Sequence, residues 1–192
     1  MKVNHYTLLS LVFLALSLLM KSIPLLDIKV LKFFNTLMID NTFFSYFTEI
    51  GNGLICLAIT VPLLSIISYR TPLNNVKVQT LVFVGLGVGL IVKVLKELTS
   101  LYAVRPGFYE FEDVIYLEPV YLYSSFPSGH AATIFSLFLV WISLAFRNTK
   151  ISNAGLTITL LLIFALMVSL SRVIVAAHWL SDVLGSIALA FV

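Results

Sequence analysis

"SLSRVIVAAHWLSD", residues 169–182, lies in one of the most apolar parts of an apolar chain, yet it carries Arg172, His178 and Asp182 within eleven positions. A charged side chain at the middle of a bilayer costs roughly 2.5 to 3.5 kcal/mol on insertion scales. These three groups therefore belong near a membrane interface or against a polar cavity, and their presence asks for a functional explanation.

The surrounding sequence sets the context. Of 192 residues, 60% are hydrophobic and 11% charged, and the mean hydropathy is +1.05. Such values lie far outside the range of soluble domains and point to an all-α, polytopic membrane helix bundle built as one domain over residues 1–192. The net charge of +3 and pI near 9.0 do not indicate nucleic acid, because the basic residues are scattered and no basic patch is interleaved with aromatics. Cys56 is the one cysteine, so no intramolecular disulfide forms; within its apolar run it reads as a small buried hydrophobe. Nothing in the sequence fixes an oligomeric state.

Measured against the roughly 20 residues that cross a bilayer, the apolar runs give six candidate spans. They cover about 6–20, 50–69, 78–98, 128–146, 154–171 and 178–192. Between the first two, residues 25–48 alternate Leu26, Ile28, Val30, Leu31, Phe33, Phe34 and Leu37 with Asp27, Lys29 and Lys32, the pattern of a short interfacial helix. The first span follows Lys2 but lacks a small-residue cleavage site, so it reads as an uncleaved helix. The last is short: either that helix is short or the natural sequence continues.

Six spans also fix which loops share a side. One side holds Lys2, Arg70, Lys77, Arg147 and Lys150 and no acidic residue. The other holds Lys21, Lys29, Lys32, Lys93, Lys96, Arg105 and Arg172 with all nine acidic residues. Raw counting favours the second side as cytoplasmic, seven against five. With Lys93, Lys96, Arg105 and Arg172 held in a site, three against five remain, and the first side becomes the cytoplasmic one. The expected location is then the inner, or plasma, membrane, with the site on the periplasmic or extracellular face.

That second side gathers three ionisable clusters: Lys93 and Lys96 to Arg105-Pro106 at the exit of the third span, "PSGH" at 127–130 at the entry of the fourth, and "SRVIVAAHWLSD" at 171–182 between the fifth and sixth. Ser128 is a candidate N-cap, and Ser128, Gly129 and His130 can turn backbone N–H groups toward an anion at a helix N-terminus, with Gly129 allowing close approach. Arg105, Arg172 and a lysine supply the forked and point-charge donors that phosphate oxygens take. His130 and His178 suit general-acid and nucleophile roles. On a helix His178 and Asp182 stand one turn apart, so the carboxylate can keep one imidazole nitrogen protonated and the other free to attack phosphorus.

The set "RP", "PSGH" and "SRVIVAAHWLSD" resembles the three-part signature of the type 2 phosphatidic acid phosphatase superfamily: K-x6-RP, PSGH and SR-x5-H-x3-D. The second and third parts match completely, and the 40 residues between His130 and Ser171 suit the family's separation. The resemblance implies an integral-membrane, metal-independent phosphatase of lipid phosphates and pyrophosphates that needs no cofactor. His178 would form a phosphohistidine, Asp182 would orient it, and His130 would protonate the leaving lipid oxygen. Arg105, Ser128, Gly129 and Arg172 would bind the phosphoryl group. The first lysine departs from the pattern: seven positions before Arg105 stands Leu98, while Lys96 lies nine before and Lys93 twelve. A helix ending near Thr99, with two extra loop residues, would swing Lys96 back to fill the role.

Other features carry less chemistry. His5, outside any motif, reads as a packing residue, and Trp179 as an interfacial anchor. "GLGVG", 85–89, lacks a preceding strand and lies inside a span, so its small residues serve helix packing. The stretch "GFYEFEDVIYLEPVYLY", 107–123, is either a solvated loop or a gate over the pocket. Two other functions compete with hydrolysis: a lipid phosphotransferase using the same phosphohistidine, which needs an acceptor site, and a transporter or scaffold, which calls for broken helices or mid-span acidic residues. The compatible substrates are undecaprenyl pyrophosphate, phosphatidylglycerophosphate, phosphatidate and lipid A, and the partners are that substrate and the surrounding membrane lipids.

Overall fold

The computed structural model describes residues 5–68, 74–117, 119–146 and 154–192. Eight α-helices make up the described chain: α1 (His5–Ser22), α2 (Pro24–Asn35), α3 (Asn41–Glu49), α4 (Gly53–Ser68), α5 (Asn74–Thr99), α6 (Gly129–Phe146), α7 (Ala154–Ile174) and α8 (Leu180–Ala190), with a 3-10 turn at Pro106–Tyr109. Each of the six expected spans holds a described helix, although the sixth begins at Leu180 and not at His178. By length and apolarity, α1 and the Val78–Thr99 part of α5 suffice to cross a bilayer, and α3 with α4 makes a third span bent by 65°. The apolar stretches Gly129–Ser143, Ile158–Ile174 and Leu180–Ala190 are shorter. In α6, α7 and α8 the site's polar motifs occupy the helix ends and shorten the apolar run. The basic residues Lys2, Arg70, Arg147 and Lys150 lie outside the described residues, as does the Lys77 side chain.

α6 is the inner helix. Every residue from Ala131 to Phe138 is buried, and α6 packs on α4, α5, α7 and α8. Phe135, Leu137, Val168, Val173 and Val183 fill the core between α6, α7 and α8. Leu8, Leu11 and Leu18 on α1 and Phe83 and Leu90 on α5 remain exposed, as an outer face turned to hydrocarbon requires. α1 lies along α8, its serine hydroxyls donating across the interface: Ser10 Oγ to the Ala188 carbonyl at 3.0 Å and Ser17 Oγ to the Ser181 carbonyl at 2.7 Å. Small polar residues on one helix face let two backbones approach and bond where no water competes.

The 25–48 region forms two helices and not one. Asp40 separates them, its carboxylate accepting from the N–H groups of Thr42 (2.7 Å) and Phe43 (3.0 Å) to cap α3. The buried stripe of α2 is Asp27, Leu31 and Asn35, so two polar residues expected on the outer face or left unremarked turn inward. Asn35 Nδ2 donates to the carbonyls of Ile115 (2.8 Å) and Ile174 (2.7 Å), and its Oδ1 accepts from the Ile115 N–H at 2.8 Å. Each such bond contributes about 1 kcal/mol, and losing the hub would leave buried backbone groups without partners. It joins α2, the end of α7 and the 107–123 loop at one point.

Smaller expectations divide. Within "GLGVG" only Gly85 packs tightly, since a Cβ there would stand 2.9 Å from Leu57 of α4, whereas Gly87 and Gly89 face open space. Cys56 is buried, with its Sγ bonded to the Ile50 carbonyl at 2.9 Å. His5 is exposed and packs on nothing deep. Trp179 is not an interfacial anchor: it is buried, its Nε1 donates to the Val104 carbonyl at 2.8 Å, and its ring meets Tyr109 edge-on. It pins the start of α8 to the loop that follows α5.

Candidate active site

The end of α7 builds the site's floor. Ala176 adopts a left-handed backbone (φ 53°), an uncommon state for a residue with a Cβ, and it turns the chain back so that the N–H groups of Ala177 and His178 both donate to the Arg172 carbonyl (3.0 and 3.1 Å). The turn places His178 before α8 and not on it, which corrects the expected one-turn helical pairing with Asp182. Asp182 is the third residue of α8, and its Oδ2 accepts from the Trp179 N–H at 3.2 Å. Capping of the helix start thus brings the two side chains together, with His178 Nδ1 3.8 Å from Asp182 Oδ2, an ion-pair distance rather than a hydrogen bond. Both side chains are essentially wholly buried.

The "PSGH" segment behaves as its sequence predicts at the helix start. α6 begins at Gly129, and the fully buried Ser128 accepts from the Ala131 N–H through its hydroxyl at 3.5 Å. The Ala132 N–H meets the Ser128 carbonyl at 3.0 Å, and the N–H groups of Gly129 and His130, which have no acceptor within the helix, can turn to an anion. A Cβ on Gly129 would touch only Val92 at 3.5 Å, so the protein's own packing does not demand glycine there. Thr99, the last residue of α5, places its hydroxyl 2.8 Å from the Phe126 carbonyl and ties that helix end to the segment.

The cations converge. Arg172 Nη1 donates to Thr48 Oγ1 of α3 at 2.7 Å, while its Nε is buried without a hydrogen-bond partner among the described residues. Arg105 donates from Nε to the Tyr123 carbonyl at 2.9 Å, and more loosely from Nη1 to Ala177 at 3.2 Å and Nη2 to Ser124 at 3.4 Å. Three of its five N–H donors are so engaged, and two remain. Burial presses its guanidinium toward a lower pKa than usual. α5 does end at Thr99, and Lys96 comes within electrostatic range of Arg105, Arg172 and Asp182, whereas Lys93 is exposed. Lys96 is half-buried there and Lys93 is not.

His130 faces a cavity of about 360 Å³ lined by Thr48, Glu49, Arg105, Tyr121 and Arg172 among others. Its Nε2 is 3.8 Å from Glu49 Oε1. His178 does not line this cavity; the Ala177 carbonyl beside it holds Arg105. The 107–123 loop roofs the space with Tyr116, Leu117, Val120 and Tyr121 and is tied down at several points. Arg105 N–H donates to Leu122 at 2.8 Å, and Lys32 pairs with Asp113 at 2.6 Å. The Lys32 bond holds the exposed Asp113 carboxyl below its usual range. This loop is a fastened roof and not a free solvated segment.

Several neighbours of the cluster carry no motif signal: Thr48 under Arg172, Glu49 beside His130, and Lys21 and Ser125 on Asp182. Ser125 lies three residues before Ser128, and its hydroxyl donates to Asp182 Oδ2. Gly51, at the bend between α3 and α4, has no room for a side chain: a Cβ would stand 2.8 Å from the His130 Cβ and 3.0 Å from Val168. Among the described residues no three His, Cys, Asp or Glu side chains gather as a metal centre.

An all-helical bundle thus gathers two arginines, two histidines and a helix N-terminus toward one end, a donor set suited to anionic oxygens. The family model described as "PAP2 superfamily" matches residues 77–192, more than half of the chain, and the protein belongs to that superfamily. Two solved structures share the fold. LpxE of Aquifex aeolicus superposes with a TM-score of 0.66 at 23% identity, over 86% of this chain and 90% of the other. The transmembrane PAP2 type phosphatidylglycerolphosphate phosphatase from Bacillus subtilis superposes with a TM-score of 0.67 at 23% identity, over 98% and 92%. No curated protein matches the sequence.

Proposed function

We propose that this protein is a membrane lipid phosphatase that cleaves a phosphomonoester or pyrophosphate through a phosphohistidine on His178. The observation that carries this reading is the convergence of Arg105, His130 and Arg172 on one cavity, next to a buried imidazole with a carboxylate 3.8 Å behind it. Phosphate oxygens take the Arg172 Nε, the remaining Arg105 donors, Lys96 and the first-turn N–H groups of α6 at Ser128–Gly129–His130. The long Arg105 bonds to Ala177 and Ser124 are the contacts that a phosphoryl group most readily replaces on its way to His178. Asp182 supports the positive charge that grows on the imidazole during attack, and His130 delivers a proton to the departing lipid oxygen. The chemistry then runs on cations and helix dipole, with no divalent metal.

Purified protein in detergent, offered phosphatidate, phosphatidylglycerophosphate, undecaprenyl pyrophosphate and lipid A, should release inorganic phosphate from at least one at a rate unchanged by excess chelator. Loss of activity in chelator overturns the metal-free mechanism, and inertness toward all four overturns the substrate class.

The loop charges support a site on the outer face of the membrane. Lys21 and Lys32, two of the three lysines left to that side's count, are themselves paired with Asp182 and Asp113, which weakens further the case for that side as cytoplasmic. In a Cys56→Ser background, Glu112→Cys should react in intact cells with a membrane-impermeant thiol reagent and Asn148→Cys should not. The reverse pattern inverts the topology and moves the substrate pool to the inner leaflet.

A further inference from the structure

Asp182 is wholly buried and is not held by the histidine alone. Its Oδ2 takes the Ser125 hydroxyl and the Trp179 N–H, and on its far side Oδ1 stands 3.2 Å from the ammonium of Lys21, in the last turn of α1. Lys21 is aimed there by several contacts. The Ser10 and Ser17 hydroxyls dock α1 on α8, and Lys21, four residues after Ser17, follows on the same helix face. Its Nζ also rests 4.1 Å from the centre of the Phe126 ring, in the segment leading into "PSGH". Phe126 in turn presses on Gly185 of α8, where a Cβ would stand 2.4 Å from its ring. The ammonium borders a separate cavity of about 200 Å³ that reaches Asp182, Ser125 and Asp27 and is not lined by His130 or His178. None of α1 falls within the 77–192 segment that defines the family.

We infer that Lys21 is a positioning residue for phosphoryl transfer, a second cation that fixes Asp182 from behind so that its other oxygen stays directed at His178. This rests on the proposed roles of His178 and Asp182. The row Lys21–Asp182–His178 has a physical logic. A neutral imidazole offers the carboxylate one N–H, whereas a buried carboxylate needs a full counter-charge. Lys21 supplies that charge before substrate arrives, so the carboxylate does not draw the imidazole proton to itself, and it remains an anion when attack makes the ring cationic. Without Lys21 the carboxylate side facing the smaller cavity loses its ionic partner, and Asp182 is left held through Oδ2 alone, by the Ser125 hydroxyl and the Trp179 N–H.

The expected result is a split between rate and binding. Lys21→Met should lower kcat roughly 10- to 100-fold while KM stays within about threefold, because the residue lies outside the phosphate cavity and acts only through Asp182. Lys21→Arg should recover most of the rate. In an Asp182→Asn background, Lys21→Met should add no more than about a threefold further loss, as residues acting in one unit do. Wild-type kcat in a folded Lys21→Met, or a full multiplicative loss in the Asp182→Asn background, overturns the inference. Should Lys21→Met fail to fold, Lys21→Cys in the Cys56→Ser background serves instead, and aminoethylation of that thiol should restore the rate; no gain on restoring the charge overturns the inference equally. Turnover by His178→Ala at the wild-type rate would instead remove the underlying reading of the site, so the two failures are told apart.

Discussion

His178→Ala should abolish turnover while leaving the bundle folded. The substitution removes the atom proposed to carry the phosphoryl group, and in enzymes that act through a covalent intermediate such a loss lowers kcat on the order of 10⁶-fold, into the background. The fold should survive because the ring contributes little of its own. Its Nδ1 makes no hydrogen bond, and the tie that closes the turn after α7 is the His178 backbone N–H to Arg172, which alanine keeps. His178→Gln, which refills most of the volume, provides a second reading should the cavity left by alanine disturb packing. Phosphate release, thermal unfolding in detergent and a search for an acid-labile, base-stable phosphoenzyme check the three parts together. Full activity in a folded sample of either variant would falsify the covalent mechanism.

Asp182→Asn should be severe but incomplete. Asparagine keeps the shape and can still accept from Ser125 and Trp179, yet it removes the charge that faces both Lys21 and His178 and points an amide donor at one of them. The expected fall in kcat is on the order of 10³- to 10⁴-fold, by analogy with loss of the orienting carboxylate in a catalytic triad, and KM should change little. Activity should remain above that of His178→Ala, since the nucleophile is still present. An Asp182→Asn protein as fast as wild type would show that the 3.8 Å pairing has no part in catalysis.

What the sequence revealed and what it hid follow from range. Ser128 as an N-cap, His130 in the first turn of α6 and the end of α5 at Thr99 depend on neighbours within a few residues, and the local pattern carried them. The companionship of Arg105, Arg172 and His178 was legible because fixed spacings resemble a known family. Thr48 under Arg172 and Lys21 behind Asp182 were not, since each meets its partner from over a hundred positions away and neither stands in a motif. The relation of His178 to Asp182 was misread for a different reason. The sixth span reads as helix from His178 onward, whereas the left-handed turn at Ala176, made without the glycine that usually announces one, holds His178 ahead of a helix that begins at Leu180. Trp179 reads as an interfacial residue by its type, and Asp27 by itself shows no facing, whereas the Val104 carbonyl and Ser181 satisfy them inside.

The pairing of α1 with α8 also bears on how the protein comes into being. Ser10 and Ser17 bond to carbonyls 178 and 164 residues downstream, so α1 leaves the ribosome long before the helix it docks on. Until α8 is inserted, those hydroxyls have only their own helix's carbonyls to bond, and the lipid around α1 stands where α8 will later lie. Closing so long a loop makes this docking a late event in assembly. Asp182 arrives on α8 itself. A nascent chain therefore carries Lys96, Arg105 and Arg172, the cations proposed to bind phosphate, before it holds the carboxylate proposed to set His178 to work.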